Sequence, residues 1–148
     1  MKILDDLERT TSETLKYFEL SDKELSKTYC PGKWNIKQIL HHLADAETVL
    51  YDRIRRAIFM PHQVVWGFDQ DLWCEKLDYE NMPIDVAENI FSSVRKAIYN
   101  LAKNHYEKDG SNEYVHNETG LRTLKDEFDK VVWHSDNHLE QIRRALGG

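Results

Sequence analysis

His134 and His138 stand four residues apart in a stretch with helical periodicity. That spacing stacks two imidazoles on one helix face, where both can reach one metal ion. The alternative is a pair of half-buried histidines satisfied by local hydrogen bonds. Val131, Ser135 and Ile142 share the side of His138, so its ring is aimed inward. A buried polar ring without a partner costs about 1–3 kcal/mol. A metal ion would satisfy it, and so would a carboxylate or carbonyl from another helix.

A second helical stretch carries His41 and His42 side by side. Adjacent residues lie about 100° apart around a helix, so only one of the two faces the core. Ile39 and Ala46 place His42 at the apolar border, whereas Lys37 and Asp45 lean His41 toward water. The candidate ligand set is therefore His42, His134 and His138. Three neutral imidazoles leave a divalent ion open positions, the arrangement of a catalytic site rather than a closed structural one. Such an ion makes bound water more acidic. Imidazole suits zinc, nickel, copper and iron, so ligand type does not select the metal. Gln141 and Asp45 have helical offsets that let them orient an imidazole through its second nitrogen; the alternative for each is a solvated side chain. No general base stands out, and Asp45, Glu47 and His41 are the weak candidates. His62, His105 and His116 fall at helix ends or in loops and read as surface residues. Nothing near Cys30 or Cys74 activates either thiol.

Four amphipathic helices must position these residues. The first is expected from about Lys2 to Leu20, with Ile3, Leu4, Leu7, Thr11, Thr14 and Phe18 inward. Ser21 and Glu24 have capping-box spacing and suggest a further turn. After the Cys30–Lys33 break, Asn35 and Gln38 form a second capping box, opening a helix from Ile36 to about Phe59 that Pro61 ends. Residues 60–82 form a long connection whose Trp66, Phe68, Trp73, Leu77 and Tyr79 suggest packing on the bundle; loops of that length are usually functional or partly structured. Pro83 opens the third helix, which ends near Asn104. Residues 114–116 and 121–123 flank Asn117–Gly120 as a small hairpin. Thr123 caps the fourth helix, with Asp126 and Glu127 in its first turn and Gly147 and Gly148 at its end.

The chain has 148 residues, 41% hydrophobic and 31% charged, the composition of one folded globular domain spanning residues 1–148. Its formal net charge of −6 and lack of a basic stripe count against nucleic-acid binding. Arg53, Arg55 and Arg56, the densest basic stretch, read as a solvated helix face. No apolar run reaches membrane-span length and the N-terminus has no signal-peptide pattern, so the expected location is the cytoplasm, with both cysteines reduced. The elements give an all-α four-helix bundle. The long second-to-third connection could cross the bundle, which would make it up-down-down-up; periodicity alone does not fix this.

Residues Pro31–Glu47, with Trp34 eight residues before His42, resemble the DinB/YfiT-like superfamily. Trp133–Arg143, with a His-x-x-x-His pair followed by Gln141 and Ile142, resembles it too. Both motifs occur in the family's order and separation, and the likeness covers nearly the whole chain. It implies an up-down-down-up four-helix bundle with a metal triad at His42, His134 and His138. It also implies one divalent ion, zinc or nickel ahead of iron or manganese, and a small-molecule substrate. Some members resemble thiol S-transferases that use a low-molecular-weight thiol, others are described as hydrolases or isomerases, and many are homodimers. The expected function is thus a metal-dependent S-transferase or hydrolase, with a non-catalytic, stress-related metal-binding bundle as the alternative.

Overall fold

Four helices begin at a side chain that satisfies their own backbone. The computed structural model describes residues 1–147. Its first helix, α1, spans Lys2–Tyr17. Ser21 and Glu24 close a reciprocal capping box over the short α2, Asp22–Leu25, and Asn35 and Gln38 close another over α3, Ile36–Phe59. In each box a cap oxygen takes one of the orphan first-turn N–H groups. Pro83 precedes α5, Ile84–His105. Thr123 and Asp126 cap α6, Leu124–Ala145. Gly147, with φ 86°, follows its end; Gly148, expected to help terminate this helix, lies outside the described residues.

The long connection is structured. It contains β1, Val64–Val65, and the helix α4, Gln70–Lys76, capped by Asp69. The expected hairpin is present as β2, Glu113–His116, and β3, Gly120–Thr123, paired antiparallel with His116 opposite Gly120. Gly120 turns the chain at φ 83°, a conformation that disfavours a side chain. β1 adds to the hairpin in parallel, Val64 opposite Val115.

Two core clusters fix the helix directions. At one end Ile3 and Leu7 of α1 meet Leu50, Ile54 and Ala57 of α3, Ile98 and Ala102 of α5, and Leu124 and Phe128 of α6. At the other, Phe18 beyond α1 meets Ile36, Ile39, Leu40 and Leu43 of α3, Phe91 of α5 and Ile142 of α6. The start of α1 and the start of α6 therefore share an end with the finish of α3 and of α5. The topology is an up-down-down-up four-helix bundle. α1 packs on α5 and α6, and α3 packs on the same two, so α1 and α3 lie diagonally across the core. Because α3 and α5 run the same way, residues 60–83 must travel back along the bundle, and this path lays them over α3.

Two assignments of solvent exposure are corrected by the structure. Arg53 is not on a solvated face: it is buried and its guanidinium donates to the Trp66 carbonyl at 2.6 Å, because β1 and its flanks fold over this part of α3. On the first helix Thr10 rather than Thr11 is fully buried.

Candidate metal centre

α3 contributes His42 and α6 contributes His134 and His138. The ring centroids form a near-equilateral triangle, 4.9 Å for His42–His134, 4.7 Å for His42–His138 and 4.6 Å for His134–His138. Each pair is steeply inclined, at 65°, 73° and 77°, so the rings sit as three blades around one axis. One ring nitrogen from each lies within 4.8 Å of the others. His42 and His138 are buried, and His134 is partly exposed.

The proton arrangement can be read from the partners. Gln141 Oε1 lies 2.7 Å from His138 Nδ1, so Nδ1–H donates and the Nε2 lone pair is left free. The Gln141 amide is itself tied to the Tyr29 hydroxyl at 3.3 Å. His42 Nε2 and His134 Nε2 face each other at 2.9 Å, while the Nδ1 atoms of both rings are buried without any hydrogen-bond partner. Burial pushes the His42 pKa down to about 3, with His138 adding to the shift. Burial and then the two neighbouring rings hold His134 well below the usual histidine value. Burial also lowers His138, partly offset by its bond to Gln141. All three are neutral at pH 7 and hold lone pairs.

This donor set fits a divalent ion. Two buried Nε2 atoms pointed at each other share at most one proton, so at least one ring presents a lone pair toward the other. With the remaining protons on the Nδ1 atoms, a metal ion could take the Nε2 lone pairs of both, together with that of His138. Metal–imidazole bonds of about 2.0–2.1 Å accommodate nitrogens as close as the His42–His134 pair.

Aromatic rings cover the triad. Trp34 lies 4.9 Å from His42 and 6.3 Å from His138. Phe68, from the long connection, lies 6.2 Å from His42 and 4.5 Å from Trp73. The capping box at Asn35 fixes where α3 begins.

The remaining candidates go elsewhere. Asp45 does not orient His42: its carboxylate accepts from the Tyr79 hydroxyl at 2.6 Å. Four residues beyond His41, it shares that residue's face rather than that of His42. His41 is not a surface residue either. It is buried, stacks on Tyr79 at 5.5 Å and donates from Nε2 to the Met82 carbonyl at 3.0 Å. The segment after α4 covers it, which helical phase alone did not reveal. His116, expected at the surface, is buried; its Nδ1 accepts from the backbone N–H groups of Glu118 and Thr119 at 3.1 and 3.2 Å and shapes the hairpin turn. His62 is exposed, and His105, half-buried, pairs with Asp109 at 2.6 Å. Cys30 is exposed and Cys74 buried, both unbridged.

Sequence reasoning missed a second polar cluster beside the triad. Arg95 of α5 is buried and holds both oxygens of Glu47 of α3, at 3.0 and 2.6 Å. It also donates to Thr10 and Thr11 of α1 and to Ser135 of α6. All five guanidinium donors are used, and one side chain ties together the four long helices. A signal was present: Glu47 lies between Leu43 and Leu50, and Arg95 between Phe91 and Ile98, opposite charges on the apolar stripes of two helices.

The comparisons agree with this architecture. The family model described as the DinB superfamily matches residues 6–142. A protein of Oceanobacillus iheyensis with the name "Putative metal-dependent hydrolase OB0413" is 32% identical over 127 residues, covering 86% of this chain and 73% of that protein. A second from the same organism, OB0782, is 28% identical over 139 residues, 94% and 79% of the respective lengths. YfiT from Bacillus subtilis, described as a probable metal-dependent hydrolase with an unusual four-helix bundle topology, superposes with a TM-score of 0.87 at 22% identity, covering 96% of this chain and 82% of YfiT. A mycothiol-dependent maleylpyruvate isomerase superposes with a TM-score of 0.75 at 13% identity, over 95% of this chain and 59% of the isomerase. No described helix is long and apolar enough to cross a membrane.

Proposed function

This chain belongs to the DinB superfamily, and on that footing we propose that it is a divalent-metal-dependent enzyme that brings water or a small thiol to a small-molecule electrophile. The observation that carries this reading is the convergence of three neutral imidazoles, two of them facing Nε2 to Nε2 with their other nitrogens unpartnered. His42, His134 and His138 would hold the ion, zinc or nickel ahead of iron or manganese. An ion held there supplies Lewis acidity, making a coordinated water or thiol more acidic and polarising a substrate oxygen.

The chain's own groups set the conditions for that chemistry. Neutral ligands leave the full ionic charge uncompensated by the protein, which strengthens its pull on a nucleophile. Gln141 fixes the His138 tautomer, and Trp34 and Phe68 limit access of bulk water. The two carboxylates nearest His42 in sequence are engaged, Asp45 by Tyr79 and Glu47 by Arg95, so neither is available as a general base. Under that constraint a thiol is an easier nucleophile to ionise than water, because a thiol coordinated to a metal ion is deprotonated outright. Hydrolysis is supported by the names of the curated relatives and thiol dependence by that of the isomerase.

The test begins with elemental analysis of untagged protein, for which one divalent ion per chain is expected, lost in His42→Ala. Metal-loaded protein should then conjugate small thiols to an electrophile, or cleave an activated ester or amide, faster than metal-free protein. A panel with no metal-dependent rate would leave a metal-binding protein without turnover, and no bound ion would remove the basis of both readings.

A further inference from the structure

Along one flank of α6, that helix and the hairpin turn line an open cleft of about 500 Å³, bounded by Thr119, Arg122, Asp126, Asp129, Lys130 and Trp133. Its four groups from α6 lie on the flank of the helix next to the face that carries His134 and His138. Lys130 stands one turn before His134, so both project along the same line of the helix. His134 is the least buried residue of the triad, although its Nδ1 is shielded from solvent.

The charges in this cleft are unequally engaged. Asp126 is committed to the Thr123 backbone N–H at 2.8 Å as part of the α6 cap, and Asp129 accepts from the Tyr106 hydroxyl at 2.8 Å. Among the described residues, Lys130 and Arg122 make no side-chain hydrogen bond or ion pair. Lys130 is half-buried, which is costly for an ammonium without a partner. Trp133, 61% exposed, presents an indole face at the same cleft, a surface on which the carbon skeleton of a small molecule can lie.

The geometry points to this cleft as the subsite for an anionic, carboxylate or phosphoryl, group of the substrate, held by Lys130 and Arg122 while the reacting end of the molecule reaches the triad beside His134. This assignment rests on the metal-dependent reading above for the second half of its statement only. Burial lowers the Lys130 pKa, with Glu127 opposing the shift; an oxyanion in the cleft would raise it again, since an opposite charge favours the ammonium.

Metal-free protein tests the binding half. Titration with succinate, and separately with inorganic phosphate, is followed by the amide chemical shifts of Arg122, Lys130 and Trp133. Saturable shifts are expected, at least five-fold weaker in affinity in Lys130→Met and in Arg122→Gln and retained in Lys130→Arg; the tighter of the two anions identifies the group. Absence of saturation with both, or affinities unchanged in both charge-removing variants, overturns the subsite. Cobalt-loaded protein tests the link to the triad through the thiolate-to-metal absorption band. There 3-mercaptopropionate should bind about five-fold more tightly than 3-mercaptopropionamide, and Lys130→Met should erase the difference. Equal affinities in the unsubstituted protein overturn the link. Failure to take up cobalt would sink the metal reading, and the succinate and phosphate titrations would still decide the subsite.

Discussion

Two buried polar clusters lie side by side in this bundle, and they differ in how completely they are satisfied. Around Arg95 every guanidinium donor has an acceptor, drawn from the other three long helices. Around His42 and His134 two ring nitrogens have none, and the others crowd together. They are adjacent in the chain as well, since Ser135 serves the first cluster and His134 the second. A closed network rigidifies a core, whereas an open one invites a ligand that completes it. The difference separates what holds the protein together from what it holds.

The largest expected effect breaks the closed cluster. Arg95→Met leaves Glu47 buried without its partner and should cost about 3–5 kcal/mol of stability in urea unfolding. Adding Glu47→Leu should restore much of that loss; a double variant as unstable as the single one would mean that Arg95 stabilises by packing rather than by charge.

The open cluster should behave in the opposite sense. Zinc or nickel at about a hundred times its dissociation constant should stabilise the protein by about 2.7 kcal/mol, read as a rise in thermal midpoint. His42→Ala should abolish the gain while leaving the metal-free protein folded by circular dichroism. An equal gain in that variant would place the ion elsewhere.

Gln141→Leu offers a finer cut. It removes the acceptor that fixes the His138 ring and should weaken metal affinity about 10-fold or more, measured by competition with a chromophoric chelator. No change would assign the ring's orientation to its packing under Trp34. The smallest effect is set at the entrance to α3. Asn35→Ala removes a side-chain cap and should cost about 1 kcal/mol of stability. Metal affinity should change less than two-fold, because the Arg95–Glu47 pair still sets the rotation of α3. A larger change in affinity than in stability would show that the cap, not the ion pair, positions His42.

Much of this comparison was legible in the sequence, for reasons that are local. The caps at Ser21, Asn35 and Thr123 announce themselves within four residues, and so does the hairpin turn at Gly120. The His134–His138 spacing and the phase of His42 identify the ring cluster because helix geometry is regular. The exposures of His41, Arg53 and His116 were misread because each is decided by a distant segment. Val64–Val65 is too short to show alternation, and its pairing with β2 joins positions about fifty residues apart. The Arg95–Glu47 pair needed two helices to be read together, with one stripe's charge taken as the complement of the other's.

The tie between α3 and α6 through Arg95 has a consequence for how this scaffold can diversify. Both helices that carry imidazoles are anchored from behind, by Glu47 on one and Ser135 on the other. The long connection, which carries none of the three rings, brings Phe68 against His42, and its Gly67 N–H is held by Asn117 of the hairpin turn. Loop exchange or insertion in those two segments can therefore remodel the surroundings of the three imidazoles while the rings keep their setting.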